Sequence, residues 1–300
     1  MKLKTPSDLE ELRRSILEER KTDKPCIAVC GGTGCQAYGS QKVVEAFKEE
    51  LKRRSLEEAI SLKVTGCHGF CERGVVVVIH PEEIFYQRVK PEDAPDIISG
   101  VMDGTPVERL LYEDPNTGRK ILHRDDIPFY KGQQRLIFGN NGLIDPTDIK
   151  DYIAIGGYSA LAKVLSGMEP EEVIDIIKRS GLRGRGGGGF PTGVKWEACR
   201  KAEGEIKHVV CNADEGDPGA YMDRSLLEGN PHSVLEGMII GAYAIGAHQG
   251  YVYVRYEYPL ALKHISLAIQ QAEEYGLLGT NIMGSGFDFN VKVVRGGGAF

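Results

Sequence analysis

The sequence predicts an α/β protein with two domains, and three observations carry that prediction. The chain has 300 residues, about twice the length of a typical domain. Helical and strand patterns alternate up to residue 106 and again from residue 151. Residues 107–150 contain turn signals, such as Gly139-Asn-Asn-Gly142, with little periodicity between them. We therefore predict domains at 1–106 and 151–300, joined by a connector at 107–150.

Composition excludes several classes of protein. The formal net charge is −6 and no Lys/Arg block stands out, which argues against a nucleic-acid partner. No apolar run approaches the ~20 residues that a membrane helix needs. The first residues lack the apolar core of a secretion signal, so we predict a cytoplasmic chain without membrane insertion. Seven cysteines in a reducing compartment indicate metal or redox chemistry rather than disulfides.

The first domain follows a β-α-β-β-α order. An amphipathic helix starts near Ser7, and Lys21 to Pro25 breaks it. A buried strand, a loop and a second helix follow, and then three strands, among them the β-rich run Val75–Ile79, and a final helix. The predicted segments are strand 26–30, loop 31–39, a helix from 40, strand 60–65, loop 66–74, strand 75–79, strand 84–89 and helix 91–102. This order predicts a compact open-faced α/β sandwich.

The second domain alternates helices and strands from residue 151. We predict helices near 157–166, 170–180, 192–203, 231–247 and 258–275, and strands at 206–212, 250–256 and 289–295. The sequence stops in a new glycine-rich turn at Gly296–Phe300, and we expect it to be a fragment of a longer chain.

Four cysteines fall in two loops, each at the end of a predicted strand. They are Cys30 and Cys35, five residues apart, and Cys67 and Cys71, four apart. Two thiolates from each of two neighbouring loops suit a [2Fe–2S] cluster, and nearby glycines allow tight turns and N–H donors to sulfur. Structural zinc is the competing interpretation. We predict that His68 is a surface loop residue.

A glycine-rich loop at Gly181–Lys195 leads into a predicted helix. Such a loop presents several backbone N–H groups to an anion, and Lys195 adds a positive charge. A linker does not need the Arg, Phe and Trp found here, a Rossmann fingerprint requires a preceding strand, and a Walker loop requires Gly-Lys-Ser/Thr. We therefore predict a non-Rossmann phosphate or dinucleotide cradle, with Thr192 capping the helix.

An acidic loop follows the predicted strand 206–212. Asn212 offers a donor and an acceptor, and Asp214, Glu215 and Asp217 can accept from sugar hydroxyls. Polar groups just past the carboxyl end of a strand are where α/β sheets bind ligands. A solvated turn is the alternative, because Asp, Gly and Pro all favour turns.

Together the glycine loop and Cys211-Asn-Ala-Asp-Glu-Gly-Asp-Pro-Gly219 resemble the NADH-binding flavoprotein subunit family of respiratory complex I. The cysteine spacing resembles a thioredoxin-like [2Fe–2S] ferredoxin domain. Fused in this order, they resemble the beta subunit of NAD(P)-dependent, electron-bifurcating [FeFe]-hydrogenases. This implies a thioredoxin-like ferredoxin domain followed by a non-Rossmann or Rossmann-like α/β FMN- and NAD-binding domain that is truncated at its C-terminal side. The site residues implied are, for FMN, Arg183, Gly184, Gly186, Lys195, Asn212 and Asp214; for NAD(H), Gly187, Phe190, Glu215 and Asp217; and for [2Fe–2S], Cys30, Cys35, Cys67 and Cys71.

The resemblance also implies a function. The chain would exchange a hydride between NAD(P)H and FMN and relay single electrons through iron–sulfur clusters to a hydrogenase catalytic (alpha) subunit and a small [2Fe–2S] (gamma) subunit. A [4Fe–4S] cluster is expected beyond residue 300. The alternatives are a formate dehydrogenase diaphorase subunit, a complex I-type NADH dehydrogenase and a zinc-stabilised nucleotide-binding scaffold.

Overall fold

The computed structural model describes residues 2–20 and 24–298, which form two compact units. The cysteine unit comprises Arg20–Asp148 and Glu228–Asn230. The glycine-loop unit comprises Met1–Glu19, Ile149–Leu227 and Pro231–Phe300. Part of the predicted helix break at 21–25 and the end of the predicted terminal turn at Phe300 lie outside the described residues.

This division differs from the predicted boundaries in two places. Helix α1 (Pro6–Glu19) packs on α6 (Ile149–Ala154) and α7 (Ser159–Leu165) in the glycine-loop unit. The predicted connector groups with the cysteine unit. Leu9 and Ile16 form the buried face of α1. Their spacing indicates a buried helix face, but a periodic pattern does not say which element covers it.

The cysteine unit is built on a four-stranded mixed sheet in the order β2-β1-β3-β4. Strand β1 pairs parallel with β2 and antiparallel with β3, and β3 pairs antiparallel with β4. All four predicted strand segments are present, so the order is β-α-β-β-β-α, with one strand more than the predicted β-α-β-β-α, and a short helix α2 lies in the predicted loop 31–39. The elements are β1 (Cys26–Cys30), α2 (Thr33–Ala37), α3 (Ser40–Arg53), β2 (Ser61–Thr65), β3 (Val77–His80), β4 (Ile84–Tyr86) and α4 (Ala94–Asp103).

The predicted connector has its own structure and packs within the cysteine unit. It contains the hairpin β5 (Tyr112–Glu113) and β6 (Lys120–Ile121) and the single-turn helix α5 (Pro128–Lys131). Tyr112, Ile127 and Tyr130 from this segment are buried in one apolar cluster with Cys30 and Cys35. The segment therefore helps to form the surroundings of the cysteine loops.

The glycine-loop unit contains a parallel three-stranded sheet in the order β7-β8-β9. Helices α11 and α12 connect its strands, as parallel pairs require. The elements are α8 (Pro170–Ser180), α9 (Thr192–Lys201), β7 (His208–Ala213), α10 (Met222–Gly229), α11 (Pro231–Ile245), β8 (Gln249–Arg255), α12 (Pro259–Glu274) and β9 (Asn290–Gly296). Five predicted helices and three predicted strands of this region are present.

Two helices of this region were not predicted. Helix α6 lies inside residues assigned to the connector and its neighbour, and α10 follows the turn-rich acidic loop. Both are short, with six and eight residues, so neither shows a clear helical period. Among residues 2–20 and 24–298, none of the helices combines the length and apolar character that crossing a membrane requires.

Candidate cofactor sites

The four predicted cysteine ligands lie on two neighbouring loops of the cysteine unit. Cys30 ends β1 and Cys35 lies in α2, while Cys67 and Cys71 follow β2, the parallel neighbour of β1. The Sγ atoms of Cys67 and Cys71 are 3.7 Å apart. The thiol of Cys30 is hydrogen-bonded with those of Cys35 and Cys67. The parallel pairing thus brings both cysteine pairs to the same edge of the sheet.

Three glycines lie against these cysteines, and their lack of a side chain leaves space for the thiols. A Cβ on Gly32 would lie 2.9 Å from the Cβ of Cys67, and one on Gly34 would lie 3.0 Å from the Sγ of Cys71. A Cβ on Gly74 would lie 3.1 Å from the Sγ of Cys35. A side chain at position 32 would therefore force a shift of the cysteine loops, and one at position 34 or 74 would crowd the thiols.

Neighbouring thiols also shift one another's pKa values. The hydrogen bond with Cys35 is the main cause that raises the pKa of Cys30 well above its usual value. The hydrogen bond from Cys30 is the main cause that lowers the pKa of Cys67, and the backbone N–H of Gly69 donates to the Cys67 Sγ at 3.3 Å. This confirms an N–H donor to sulfur at one of the predicted glycines.

The prediction that His68 lies at the surface is wrong. Its side chain is 1% exposed, its Nε2 lies 3.0 Å from the Thr65 hydroxyl, and burial lowers its pKa to about 3. A Cβ on Gly142 would lie 2.8 Å from the His68 ring, so residues far along the chain close over this loop. The sequence around His68 does not indicate that residues far along the chain bury its side chain.

Soft thiolate ligands from two adjacent loops, a glycine-lined space and an N–H donor to sulfur fit a [2Fe–2S] cluster. Within the described ranges, no group of three or more His, Cys, Asp or Glu side chains is arranged to hold a metal ion as the side chains now stand. Cys30, Cys35, Cys67 and Cys71 would hold the cluster.

The glycine loop is a narrow turn whose ends are tied together. The N–H of Gly184 donates to the carbonyl of Phe190 at 2.9 Å, and the guanidinium of Arg183 donates to the carbonyl of Gly189 at 2.8 Å. Gly187 and Gly189 have φ angles of +96° and +56°, in the region that favours glycine. A Cβ on Gly186, Gly187 or Gly188 would meet nothing within 4 Å, so the loop encloses no side chain of its own.

Helix α9 starts directly after the loop. Its N-cap is Pro191, and Thr192 is its first residue, so the prediction that Thr192 caps the helix is wrong. Within the described part of the chain no side chain caps this helix, the N–H of Thr192 donates to the carbonyl of Leu182 at 2.9 Å, and Lys195 is exposed in the first turn. The loop is preceded by helix α8 and not by a strand, which agrees with the exclusion of a Rossmann fingerprint. Exposed glycine backbone, a helix N-terminus and a lysine fit the phosphate of FMN.

Lys195 also borders a cavity of about 350 Å³ between α9, β7 and α11. Cys211, next to Asn212, lines the same cavity, so the structure brings Lys195 and the end of β7 to a common space. Cys199 and Cys211 both lie on this cavity, and burial is the main cause that raises the pKa of Cys211 to about 11.

The acidic loop starts at the carboxyl end of β7, as predicted. Asn212 is exposed, and its side-chain oxygen accepts from the N–H of Asp214 at 3.1 Å. The carboxylate of Glu215 accepts from the N–H groups of Asp223 and Arg224 at 3.1 and 3.2 Å, which satisfies the N-terminus of α10. Glu215 therefore anchors the loop through both carboxylate oxygens, whereas Asp217 is exposed.

Two residues that hold the acidic loop were missed in the sequence. Arg255, at the end of β8, donates to the carbonyl of Glu215 at 2.6 Å, and its Nε lies 3.4 Å from the carboxylate of Asp214. The hydroxyl of Tyr258 donates to the same Glu215 carbonyl at 3.2 Å. Both residues could have been found from the predicted strands, because polar groups that follow neighbouring parallel strands meet at one edge of the sheet.

Comparisons with known proteins match the two regions of the chain that contain these residues. The family described as thioredoxin-like [2Fe–2S] ferredoxin matches residues 15–102, and the Nuo51 FMN-binding domain matches residues 177–300. These matches assign a [2Fe–2S] cluster to the first range and FMN to the second. The chain therefore contains a domain of the thioredoxin-like [2Fe–2S] ferredoxin family, followed by a domain of the Nuo51 FMN-binding family.

Individual relatives match different shares of this chain. The NADP-reducing hydrogenase subunit HndC of Solidesulfovibrio fructosivorans is 60% identical over 170 residues, 57% of this chain and 34% of the relative. The NAD-reducing hydrogenase HoxS subunit alpha of Cupriavidus necator is 34% identical over 96% of this chain and 48% of the relative. A thioredoxin-like [2Fe–2S] ferredoxin from Aquifex aeolicus of known structure is 32% identical, covers 31% of this chain and 100% of that chain, and has a TM-score of 0.28. The chain spans less than half the length of the two hydrogenase subunits.

Proposed function

We propose that this chain is the diaphorase part of an NAD(P)-dependent hydrogenase. It would exchange a hydride between NAD(P)H and FMN and relay single electrons through iron–sulfur clusters to a partner hydrogenase. The observation that carries the proposal is the presence, in one chain, of a thiol-lined glycine pocket and an open glycine loop before a helix N-terminus. The matching hydrogenase subunit from Cupriavidus necator aligns with 96% of this chain, so the similarity includes both units.

Each unit has a separate task in this proposal. When bound, FMN takes up a hydride and returns electrons singly, and the protein supplies position and charge. The loop residues Arg183, Gly184 and Gly186 would enclose the FMN phosphate and Lys195 would balance its charge. Asn212 and Asp214 would bind FMN at the carboxyl end of β7. Cys30, Cys35, Cys67 and Cys71 would hold the electron-accepting cluster.

For NAD(H), Gly187 and Phe190 would lie against the nucleotide and Asp217 would accept from a ribose hydroxyl. Phe190 is 54% exposed, so its ring is free to stack on a planar group. Glu215 was predicted to contact the ribose directly. Because both its carboxylate oxygens bind the α10 amides, we now assign it mainly to positioning Asp214 and Asp217.

We further propose hydrogenase catalytic and small [2Fe–2S] subunits as partners and a cytoplasmic location. Relatives that are subunits of NAD(P)-reducing hydrogenases support the partners. Clustered cysteines among the seven in the sequence suit metal or redox chemistry in a reducing compartment, which supports the location. A complex I-type NADH dehydrogenase is the second candidate, since NADH-quinone oxidoreductase subunits F match about half of the chain.

Stopped-flow mixing of the full-length flavoprotein with NADH tests the proposal. We expect the flavin absorbance to bleach, and Asp217→Asn to slow bleaching at low NADH but not at saturating NADH, because the lost contact weakens nucleotide binding. Glu203→Gln, which changes an exposed carboxylate just after α9, is the control and should bleach like the wild type. A flavin that stays oxidised at saturating NADH and NADPH would exclude the proposed function.

A further inference from the structure

Tyr130 has a buried hydroxyl group without a hydrogen-bond partner. The side chain is 6% exposed, and its hydroxyl oxygen is among the buried polar atoms of the described residues that contact no donor or acceptor. A buried hydroxyl without a hydrogen bond is unfavourable, so a buried hydroxyl normally has a hydrogen-bond partner. The neighbouring groups therefore indicate what that partner is.

The groups around Tyr130 are the predicted cluster ligands. Tyr130 belongs to the same buried cluster as Cys30 and Cys35. The centre of its ring lies 5.9 Å from that of Phe70, the residue immediately before Cys71, in an edge-to-face arrangement. Tyr130 therefore packs beside both cysteine loops.

Arg135 covers the second cysteine loop beside Tyr130. Its Nη2 donates to the carbonyl of His68 at 2.8 Å, and a Cβ on Gly69 would lie 2.5 Å from the same nitrogen. Its Cζ lies 5.4 Å from the centre of the Tyr130 ring. Phe129 stacks on Phe70 in that loop at 4.3 Å and 8°. Residues 128–135, which we call the cluster cap, therefore bring a hydroxyl, a cation and an aromatic ring to the Cys67–Cys71 loop.

We propose that the Tyr130 hydroxyl donates a hydrogen bond to a sulfur of the [2Fe–2S] cluster and that Arg135 places a positive charge over the same loop. Both groups stabilise the reduced cluster, which carries one more negative charge, and therefore raise its reduction potential. They are positioning and tuning residues from a segment that follows the ferredoxin domain in sequence. The inference relies on the cluster assigned above to the four cysteines.

An EPR-monitored redox titration of the full-length protein tests this inference. We expect Tyr130→Phe to lower the reduced-to-oxidised ratio about tenfold at a fixed potential, equivalent to about 59 mV for one electron. Tyr112→Phe is the matched control, because Tyr112 is buried in the same aromatic cluster and its ring lies 5.7 Å from Phe70. It should leave the potential unchanged.

Two further measurements prevent an ambiguous result. Electron–nuclear double resonance of the wild-type reduced cluster should show an exchangeable proton that Tyr130→Phe lacks and Tyr112→Phe retains. Arg135→Gln should also lower the potential, even if Tyr130→Phe fails to retain its cluster. An unchanged potential in Tyr130→Phe and Arg135→Gln proteins with full iron content, or a wild-type spectrum without that proton, would overturn the inference. Iron and sulfide analysis of the wild type separates this failure from absence of the cluster itself.

Discussion

At the scale of single residues, the glycines beside the thiols determine whether the cluster fits. An ideal Cβ on Gly32 would lie 2.9 Å from the Cβ and 3.2 Å from the Cα of Cys67. Because the Cα cannot turn aside as a side chain can, one of the two cysteine loops must shift. The arrangement of four ligands therefore depends on a residue that is not itself a ligand.

We expect Gly32→Ala to lower iron and acid-labile sulfide content and to destabilise the protein by about 1–3 kcal/mol, the usual effect of overpacking. Gly132→Ala is the control, since a Cβ there would meet nothing within 4 Å and its φ is −93°. Iron assay and urea unfolding measure the two effects. Equal iron content in the two variants would argue against the close-packed thiol pocket.

His232 makes the stability of the glycine-loop unit depend on pH. It is buried between the hydroxyl of Tyr158, 2.8 Å from its Nδ1, and the side chain of Gln271, 3.0 Å from its Nε2. Burial lowers its pKa to about 4, whereas in the unfolded chain it is near 6.5. The folded state thus binds the proton less well, and the stability from neutral His232 is present above pH 6.5 and is lost as the pH falls toward 4.

We expect about 3 kcal/mol of unfolding free energy to disappear across that pH window. Urea unfolding at a series of pH values measures it. His232→Gln should be less stable at pH 7 but should show a flatter slope between pH 6.5 and 4. His248→Gln, which changes an exposed histidine, should keep the wild-type slope. A wild-type slope in His232→Gln would mean that another group is responsible.

At the scale of elements, the loop between α8 and α9 works through its backbone conformation. Gly187 has a φ of +96°, whereas Gly188 next to it has no such requirement and has open space around its Cα. A side chain at position 187 strains the backbone, but one at position 188 does not. Substitutions at these two positions therefore distinguish the effect of loop conformation from the effect of losing a glycine.

Although Gly187 is assigned to NAD(H), we expect Gly187→Ala to weaken FMN binding about tenfold, because about 1–2 kcal/mol of backbone strain opposes the loop shape in which Gly184 and Gly186 would hold FMN. Gly188→Ala should bind FMN like the wild type. Quenching of flavin fluorescence on titration with the flavin-depleted protein gives both dissociation constants. If both variants bind equally well, the positive φ of Gly187 is not part of the FMN site.

Elements whose signals are local in the sequence could be predicted. Helix α8 has the predicted bounds, because Pro170 at its start and Gly181, with a φ of +69°, at its end are local signals. The cysteine pairs were found because their ligand chemistry and spacing are visible in the sequence. Short helices such as α10 were missed because eight residues give too little periodicity.

What could not be predicted depends on contacts between distant segments. Arg255 and Tyr258 hold the acidic loop from about 40 residues away, and only the β7–β8 pairing brings them there. Tyr130 and Arg135 lie beside the cysteine loops, although the sequence pattern predicts a connector at their positions. The side of α1 that packs on α6 and α7 was recognised as apolar, but its partner lies more than 100 residues later.

At the scale of the whole molecule, the account requires two cofactors in separate units of one chain. The thiols belong to the cysteine unit, and the glycine and acidic loops belong to the glycine-loop unit. Because no ligand of the cluster comes from the glycine-loop unit, removing one cofactor should leave the other in place.

The most direct measurement is therefore the cofactor content of intact protein purified anaerobically, with FMN read by fluorescence after release and the cluster by EPR after reduction. The wild type should contain both. Cys67→Ser should lose the [2Fe–2S] signal and keep FMN, and Lys195→Ala should lose FMN on gel filtration and keep the signal. A wild type with neither cofactor, or variants of native stability that lose both together, would contradict the account.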